Sequence, residues 1–126
     1  MNSNIAKYNK TIVIADDDEL NIELIRIILK NIDANIVTFG DGQEVIDYII
    51  TNNKASIVIL DIQMPILDGF ETSCKLHEIG YEGKIFAITA LNTTTELEKY
   101  KECYFDEVIE KPIRRENFLK LINEVI

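Results

Sequence analysis

An alternation of two hydrophobic patterns constrains the fold of this chain more than any other feature. Short runs rich in Val and Ile alternate with longer segments in which apolar residues recur at helical spacing. Continuous apolar runs are typical of parallel strands buried on both faces, and parallel neighbours need a crossover connection between them. The pattern therefore predicts five βα units, that is, an α/β domain in which helices cover both faces of a doubly wound parallel sheet.

The polarity of the strand-like runs predicts their order in the sheet. The runs at 11–15, 56–60 and 84–88 are almost wholly apolar, whereas those at 35–39 and 107–110 carry more polar residues. Because central strands are the most deeply buried, we expect the more polar runs at the two edges of the sheet. This arrangement suits the flavodoxin-like strand order 2-1-3-4-5, which we expect for the sheet.

Helical spacing and capping residues predict where the helices lie. We expect one helix from Phe70 to about Ile79, ended by Gly80. Thr93 and Glu96 fit a capping box before a helix at 97–103. The apolar stripe of the first helix consists of Leu20, Leu24, Ile25, Ile28 and Leu29.

Length, charge and hydropathy bound the class of protein. The 126 residues suffice for one domain, which we place at 11–126 after a polar, unpatterned tail at 1–10. A net charge of −9 argues against nucleic acid as a direct partner. No apolar run approaches the ~18–20 residues of a membrane span, and no signal peptide is visible, so we expect a cytoplasmic protein without a membrane partner. Because the chain ends at Ile126 within the last predicted helix, we expect no output domain.

The cysteines, the histidine and several aromatic residues lie away from the strand ends. Cys74 and Cys103 fall on helix-like stretches without metal-ligand spacing, so we expect both to be reduced thiols. The single histidine, His77, is expected to be a solvated helix residue. Three aromatic residues form either an exposed output patch or part of the core, namely Tyr100, Tyr104 and Phe105.

Polar side chains follow the apolar runs where the strands end. Asp16 and Asp17 follow the first run, Asp61 follows the third, Thr89 follows the fourth, and Lys111 follows the last. The carboxyl ends of parallel strands meet at one edge of the sheet, where ligands of open α/β folds bind. We therefore expect these side chains to form one site.

The charges of this set indicate a cation and a phosphoryl group. Two carboxylates ~4 Å apart repel by about 1 kcal/mol in water and more in a protein, so the acids share a proton or bind a cation. Carboxylate oxygens without nearby His or Cys favour Mg²⁺, with Mn²⁺ as the second choice. A cation and an ammonium group beside a carboxylate suit phosphoryl transfer.

In these motifs, the chain resembles the receiver domain of bacterial response regulators, the phosphoacceptors of two-component systems. The resemblance covers about residues 10–126 and depends on the order of four motifs rather than on any one of them. The motifs are Asp16-Asp17, Asp61-x-x-Met64-Pro65-x-x-Asp68-Gly69, Thr89-Ala90 and Lys111-Pro112.

The resemblance implies roles for the acidic cluster. Asp61 would accept a phosphoryl group from a phosphohistidine and become an acyl phosphate. Asp17 would bind Mg²⁺ directly, Asp16 would bind it through water, and the main-chain carbonyl of Gln63 would complete the protein ligands. The family also links residue Gln63 and residue Leu91 to the rate of dephosphorylation.

The resemblance implies further roles around the phosphate. Thr89 and the N–H of Ala90 would hydrogen-bond phosphoryl oxygens, and Lys111 would pair with Asp61 and then with the phosphate. The bond from Lys111 to Pro112 would be cis. The family often has an aromatic switch residue where this chain has Val108, so we expect any switch to operate through backbone shifts.

The expected function is phosphorylation-dependent signalling by a stand-alone receiver domain, which docks a partner or takes part in a phosphorelay. A histidine kinase or a histidine phosphotransfer protein would be the donor, and the output partner is unknown. We expect that the chain is not an enzyme but a phosphoacceptor signalling domain that assists its own phosphorylation and dephosphorylation. An excised receiver of a hybrid histidine kinase is the main alternative.

Other function classes fit the motifs less well. A haloacid dehalogenase phosphatase also uses a strand-end Asp and Mg²⁺, but it needs a second Asp where this chain has Gln63. A flavodoxin needs a Ser/Thr/Gly-rich phosphate loop after the first strand, where this chain has acids. A receiver that works without phosphorylation is disfavoured by the intact acid set.

Overall fold

The protein is described by a computed structural model over residues 8–52, 54–90 and 94–126, without the side chains of 94–97. Its five strands form one parallel sheet in the order β2-β1-β3-β4-β5, which confirms the predicted topology. The strands are β1 (Thr11–Ala15), β2 (Asn35–Phe39), β3 (Ile57–Asp61), β4 (Lys84–Thr89) and β5 (Glu107–Glu110).

One helix follows each strand. The helices are α1 (Glu19–Ile28), α2 (Gly42–Thr51), α3 (Gly69–Glu78), α4 (Thr94–Lys101) and α5 (Arg115–Val125). An aspartate side chain caps each of the first three helices by accepting a hydrogen bond from a main-chain N–H of the first turn. These caps are Asp18, Asp41 and Asp68.

Two helices differ from their predicted bounds. Helix α3 begins at Gly69 because Asp68 and Glu71 form a reciprocal capping box. Helix α4 spans Thr94–Lys101, so it begins and ends earlier than the predicted helix at 97–103. The proposed capping box of Thr93 and Glu96 lies outside the described side chains.

The sheet separates two layers of apolar side chains. On one face, β1, β3 and β4 pack against α1 and α5; the buried residues there include Ile12, Ile14, Ile59, Ile88, Ile25, Ile28, Phe118 and Ile122. On the other face, the alternate residues of the same strands pack against α2 and α3; these include Val13, Val58, Leu60, Val45, Ile49 and Leu76. This two-sided burial explains why the central strands are continuously apolar.

The first helix presents apolar residues to solvent as well as to the core. Ile25 and Ile28 are buried, as the helical stripe predicts. Leu20 is 82% exposed, and Leu24 and Ile27 are also exposed. The apolar residues of α1 therefore cover more of its circumference than the sheet can bury.

The chain before β1 is attached to the edge strand. The side-chain amide of Asn35 donates to the carbonyl oxygens of Tyr8 (2.7 Å) and Lys10 (3.2 Å), and its oxygen accepts from the Tyr8 N–H. Part of the predicted tail is thus held against β2. Within the described ranges, no helix has the length and hydropathy that crossing a bilayer requires.

Candidate functional site

Three aspartates converge at the carboxyl ends of β1 and β3. Asp16 and Asp17 directly follow β1, and Asp61 is the last residue of β3. One carboxylate oxygen from each of these side chains lies within 4.8 Å of the others. Asp16 and Asp61 are buried, with 1% and 6% exposure, whereas Asp17 is exposed. The predicted cluster therefore forms, with one side open to solvent.

Hydrogen bonds from α1 orient the Asp16 carboxylate. The main-chain N–H of Asp18 donates to Asp16 Oδ1 (2.9 Å), and the side-chain amide of Asn21 donates to Asp16 Oδ2. Sequence reasoning missed Asn21. The available signal was its position five residues after Asp16, which places its side chain in the first turn of the capped helix.

Lys111 supplies the positive charge of the cluster. Its Nζ lies 3.5 Å from Asp61 Oδ2 and 3.8 Å from Asp16 Oδ2. The main-chain N–H of Lys111 donates to the carbonyl of Thr89 (2.8 Å), and the bond from Lys111 to Pro112 is cis. The segment after β5 is thus held against the end of β4, and the lysine side chain reaches the acids.

The protonation of Asp61 reflects its surroundings. Burial, followed by the negative charge of Asp16, raises the pKa of this carboxyl from 3.8 to about 6. The Lys111 ammonium and the N–H of Gln63, which donates to Asp61 Oδ1 (3.4 Å), act in the opposite direction. Without a cation, the site holds more negative charge than one ammonium group can balance.

The remaining predicted residues of the site differ in burial and in their position on the sheet. Thr89 is buried at the end of β4, one position beyond Ile88, the register partner of Asp61. Ala90 and Gln63 are exposed. Val108 lies on β5 opposite Ala87 and is 44% exposed. Leu91 lies outside the described residues.

An open cleft adjoins the exposed side of the cluster. Phe70 of α3 and Lys99 of α4 line it, and Lys99 Nζ lies over the Phe70 ring at 4.4 Å from the centroid. Sequence reasoning missed Lys99, because no pattern in α4 indicated which face it presents. The other lining residues are Asp17, Ile62, Gln63, Met64, Pro65 and Asp68.

Close backbone packing shapes the β3–α3 loop. The N–H of Gly69 donates to the carbonyl of Ile62 (2.9 Å), and a Cβ on Gly69 would meet the Asp61 carbonyl oxygen at 2.7 Å. Only glycine fits there without displacing the backbone of the acidic residue. Ile66 has a positive φ of 69°, which is an outlier for a β-branched residue.

The donor set suits a hard divalent cation. The cluster offers carboxylate oxygens from Asp16, Asp17 and Asp61 and, among the described residues, no sulfur or imidazole ligand. Oxygen-only sets of this kind bind Mg²⁺ or Mn²⁺ in preference to zinc. Burial, followed by the negative charge of Asp16, raises the pKa of Asp61, and a bound cation would offset that negative charge.

Comparison with known families agrees with this geometry. The model of the response regulator receiver domain matches residues 12–123. The chain belongs to this family. As a receiver domain, it is a signalling domain with the five-stranded fold described above.

Relatives of this receiver domain include proteins of two architectures. It is 32% identical, over 123 aligned positions and 91% of its length, to hybrid signal transduction histidine kinase I of Dictyostelium discoideum, of which it covers 7%. It is 23% identical to two-component response regulator 24 of Arabidopsis thaliana, with 97% of this chain and 88% of the relative covered. The chain thus spans a small part of one relative and most of the other.

Solved structures of receiver domains share the fold. The receiver domain of a Francisella response regulator superposes with a TM-score of 0.81 at 23% identity, covering 93% of this chain and 96% of the other. This likeness shows that the two chains share a fold. It confirms the predicted fold class.

Proposed function

We propose that this receiver domain accepts a phosphoryl group on Asp61 from a phosphohistidine, with Mg²⁺ bound at the acidic cluster and Mn²⁺ as a possible substitute. The observation that carries the proposal is the arrangement of charges around Asp61. A buried carboxylate lies beside two other carboxylates and 3.5 Å from a lysine ammonium, at the open edge of the sheet.

The transfer step needs a carboxylate nucleophile and a neutral leaving group. An Asp61 oxygen attacks phosphorus, and the bond from phosphorus to the donor imidazole nitrogen breaks. The imidazole takes the bonding electron pair and leaves as a neutral ring, because its other nitrogen carries a proton. A bound divalent cation would neutralise the charge that develops on the phosphoryl oxygens. Asp16, Asp17 and the carbonyl of Gln63 would hold it, and Lys111 would stabilise the same charge from the other side.

Residues at the ends of β4 and β5 would bind the phosphoryl group on Asp61. The Thr89 hydroxyl and the Ala90 N–H would donate to phosphoryl oxygens, and Lys111 would move its ion pair from Asp61 to the phosphate. Val108 has no aromatic ring or polar group that could change position together with the Thr89 side chain. We therefore propose that the signal passes to the surface through shifts of the β4–α4 and β5–α5 backbone.

The donor would be a histidine kinase or a histidine phosphotransfer protein, and the phosphorylated chain would dock an output partner or pass the phosphoryl group on. The domain would assist its own phosphorylation and, through Gln63 and Leu91, set its own dephosphorylation rate. The cytoplasm stays the expected compartment. A place within a hybrid histidine kinase is the alternative context, supported by the Dictyostelium relative.

A phosphatase of the haloacid dehalogenase type has less support. Such an enzyme needs a general acid two residues after its nucleophile, and the Gln63 amide at that position does not release a proton. Acids also occupy the start of α1, where a flavodoxin would bind the flavin phosphate.

Intact-mass spectrometry with acetyl phosphate and Mg²⁺ tests the proposal. We expect one adduct of about 80 Da on the wild-type chain, suppressed by EDTA and absent in Asp61→Asn. Asp33→Asn is the matched control, because Asp33 is an exposed acid before β2, at the opposite edge of the sheet. This variant should form the adduct normally. An adduct that persists in Asp61→Asn, or none on the wild type, would overturn the proposal.

A further inference from the structure

Helix α3 meets the segment from α4 to β5 along a line of paired side chains. The Phe70 ring packs on Tyr100 at a centroid distance of 5.0 Å, and the His77 ring stacks on Tyr104 at 3.7 Å with an interplanar angle of 3°. Phe70 and His77 lie on one face of α3, at helical spacing with Cys74 between them. Cys103 directly precedes Tyr104 on the opposite side.

The two cysteines of the chain therefore face each other between these ring pairs. The Cys103 thiol interacts with the side chains of Cys74 and Ser73, and its Sγ lies 4.0 Å from the carbonyl oxygen of Phe70. Both thiols are free and half-buried, so small reagents have access to them. Phosphoryl transfer at Asp61 uses neither thiol.

We propose that Cys74 and Cys103 form a reversible intramolecular disulfide by exchange with a low-molecular-weight disulfide of the glutathione type. The register of the ring pairs brings the two thiols together in the folded protein before any oxidation occurs. The pair is thus a modification site separate from the acidic cluster.

The exchange proceeds in two balanced steps. The Cys74 thiolate attacks one sulfur of the small disulfide, the disulfide bond breaks, and one small thiolate leaves. Cys103 then loses its proton and attacks the Cys74 sulfur, and the second small thiolate leaves and takes up a proton. The protein dithiol is oxidised and the small disulfide is reduced to two thiols.

The environment of Cys103 assigns the order of the steps. Burial raises the pKa of this thiol to about 11, so it is protonated at neutral pH and a poor first nucleophile. Its proximity to Cys74 favours it as the second nucleophile, because the attack is intramolecular.

The bond would tie α3 to the end of α4. Lys99 and Tyr100 of α4 contact Phe70, which lines the cleft beside Asp17. A covalent link one turn away would therefore hold α4 in place next to the phosphorylation site. The oxidation state of the pair would then limit how far α4 moves during signalling.

Incubation of the full chain with oxidised glutathione at pH 8, followed by thiol alkylation and intact-mass analysis, tests the proposal. We expect a loss of about 2 Da with no retained glutathione, and a peptide map that joins Cys74 to Cys103. Cys74→Ser and Cys103→Ser should form no internal bond. Retained glutathione on the wild type, or a disulfide between two chains, would overturn the proposal.

A stability measurement distinguishes a bond made in the native fold from one that distorts it. The oxidised wild type should melt about 5 °C or more above the reduced form, and reduction should reverse the shift. The Cys→Ser variants, checked for folding by circular dichroism, should show no change with the same reagent. A lower melting temperature on oxidation would mean that the folded chain does not accommodate the bond.

Discussion

The Asp61 carboxyl is subject to opposing effects on its pKa: burial and the negative charge of Asp16 raise the pKa, whereas the Lys111 ammonium lowers it. Its pKa of about 6 in the folded chain exceeds the usual 3.8 of an aspartate, so the folded chain binds a proton more tightly than the unfolded chain does. In the metal-free protein, the contribution of this carboxyl to the free energy of unfolding is fully present below pH 4 and is lost as the pH rises through 6. The repulsion between the Asp16 and Asp61 carboxylates also favours the binding of a cation at the site.

We therefore expect Asp61→Asn to stabilise the metal-free protein at neutral pH. The gain over wild type should approach about 3 kcal/mol at pH 7 and vanish near pH 4, because the amide carries no charge. Urea unfolding in EDTA across this pH range measures it. Parallel pH profiles for the two proteins would contradict the expectation.

Gln63 lies on the open side of the cluster, where a water molecule would approach the acyl phosphate. Its main-chain N–H contacts Asp61, and its side chain is exposed in the cleft. We predict that Gln63→Ala lengthens the lifetime of the phosphorylated state several-fold, because the amide would no longer orient that water. Loss of the mass adduct with time measures the lifetime, and an unchanged decay rate would count against this role.

The residues of the site differ in how far the sequence predicts them. Asp16, Asp61 and Lys111 follow apolar runs, and the geometry of parallel strands brings strand ends together. Asn21 and Lys99 lie on helices, and their reach toward the site depends on helix rotation and packing. A linear pattern carries no information about that rotation when several faces of a helix are polar.

Among the elements, the β3–α3 loop holds a residue in an unfavourable conformation. Ile66 has a φ of 69° and is 73% exposed, so little packing compensates for its left-handed backbone. Ile66→Asn should stabilise the chain by about 1 kcal/mol, because Asn tolerates this conformation better. Chemical denaturation measures the change.

Ile66→Val is the matched control for this prediction. Valine keeps the branched Cβ and therefore the backbone penalty, so its stability should stay close to that of the wild type. A gain for valine equal to that for asparagine would assign the effect to lost surface hydrophobicity instead of backbone strain.

The elements also show where sequence patterns lose resolution. The number and order of strands and helices follow from alternating periodicity, and the structure confirms them. The start of α3 differs because the cap at Asp68, rather than apolar spacing, decides where this helix begins. Helix α4 also begins and ends earlier than its apolar spacing predicts. Tyr100 proved to be buried, whereas Tyr104 is 47% exposed, so the predicted aromatic group divides between core and surface.

At the scale of the whole molecule, strand polarity predicted the sheet order because burial on two faces excludes polar side chains. The central strands β1, β3 and β4 are buried along almost their entire length, and the edge strands are not. The proximity of Cys74 to Cys103 could not be predicted in this way. It depends on how α3 packs against the chain that follows α4, which only the folded arrangement specifies.

The strand order has a consequence for how the chain is made. β2 and β3 both pair with β1, β4 pairs with β3, and β5 pairs with β4. Every strand after β1 thus finds a neighbour among the strands already synthesised. The sheet can therefore form while the chain is being synthesised. This limits the time during which an unpaired hydrophobic strand edge is exposed and can aggregate.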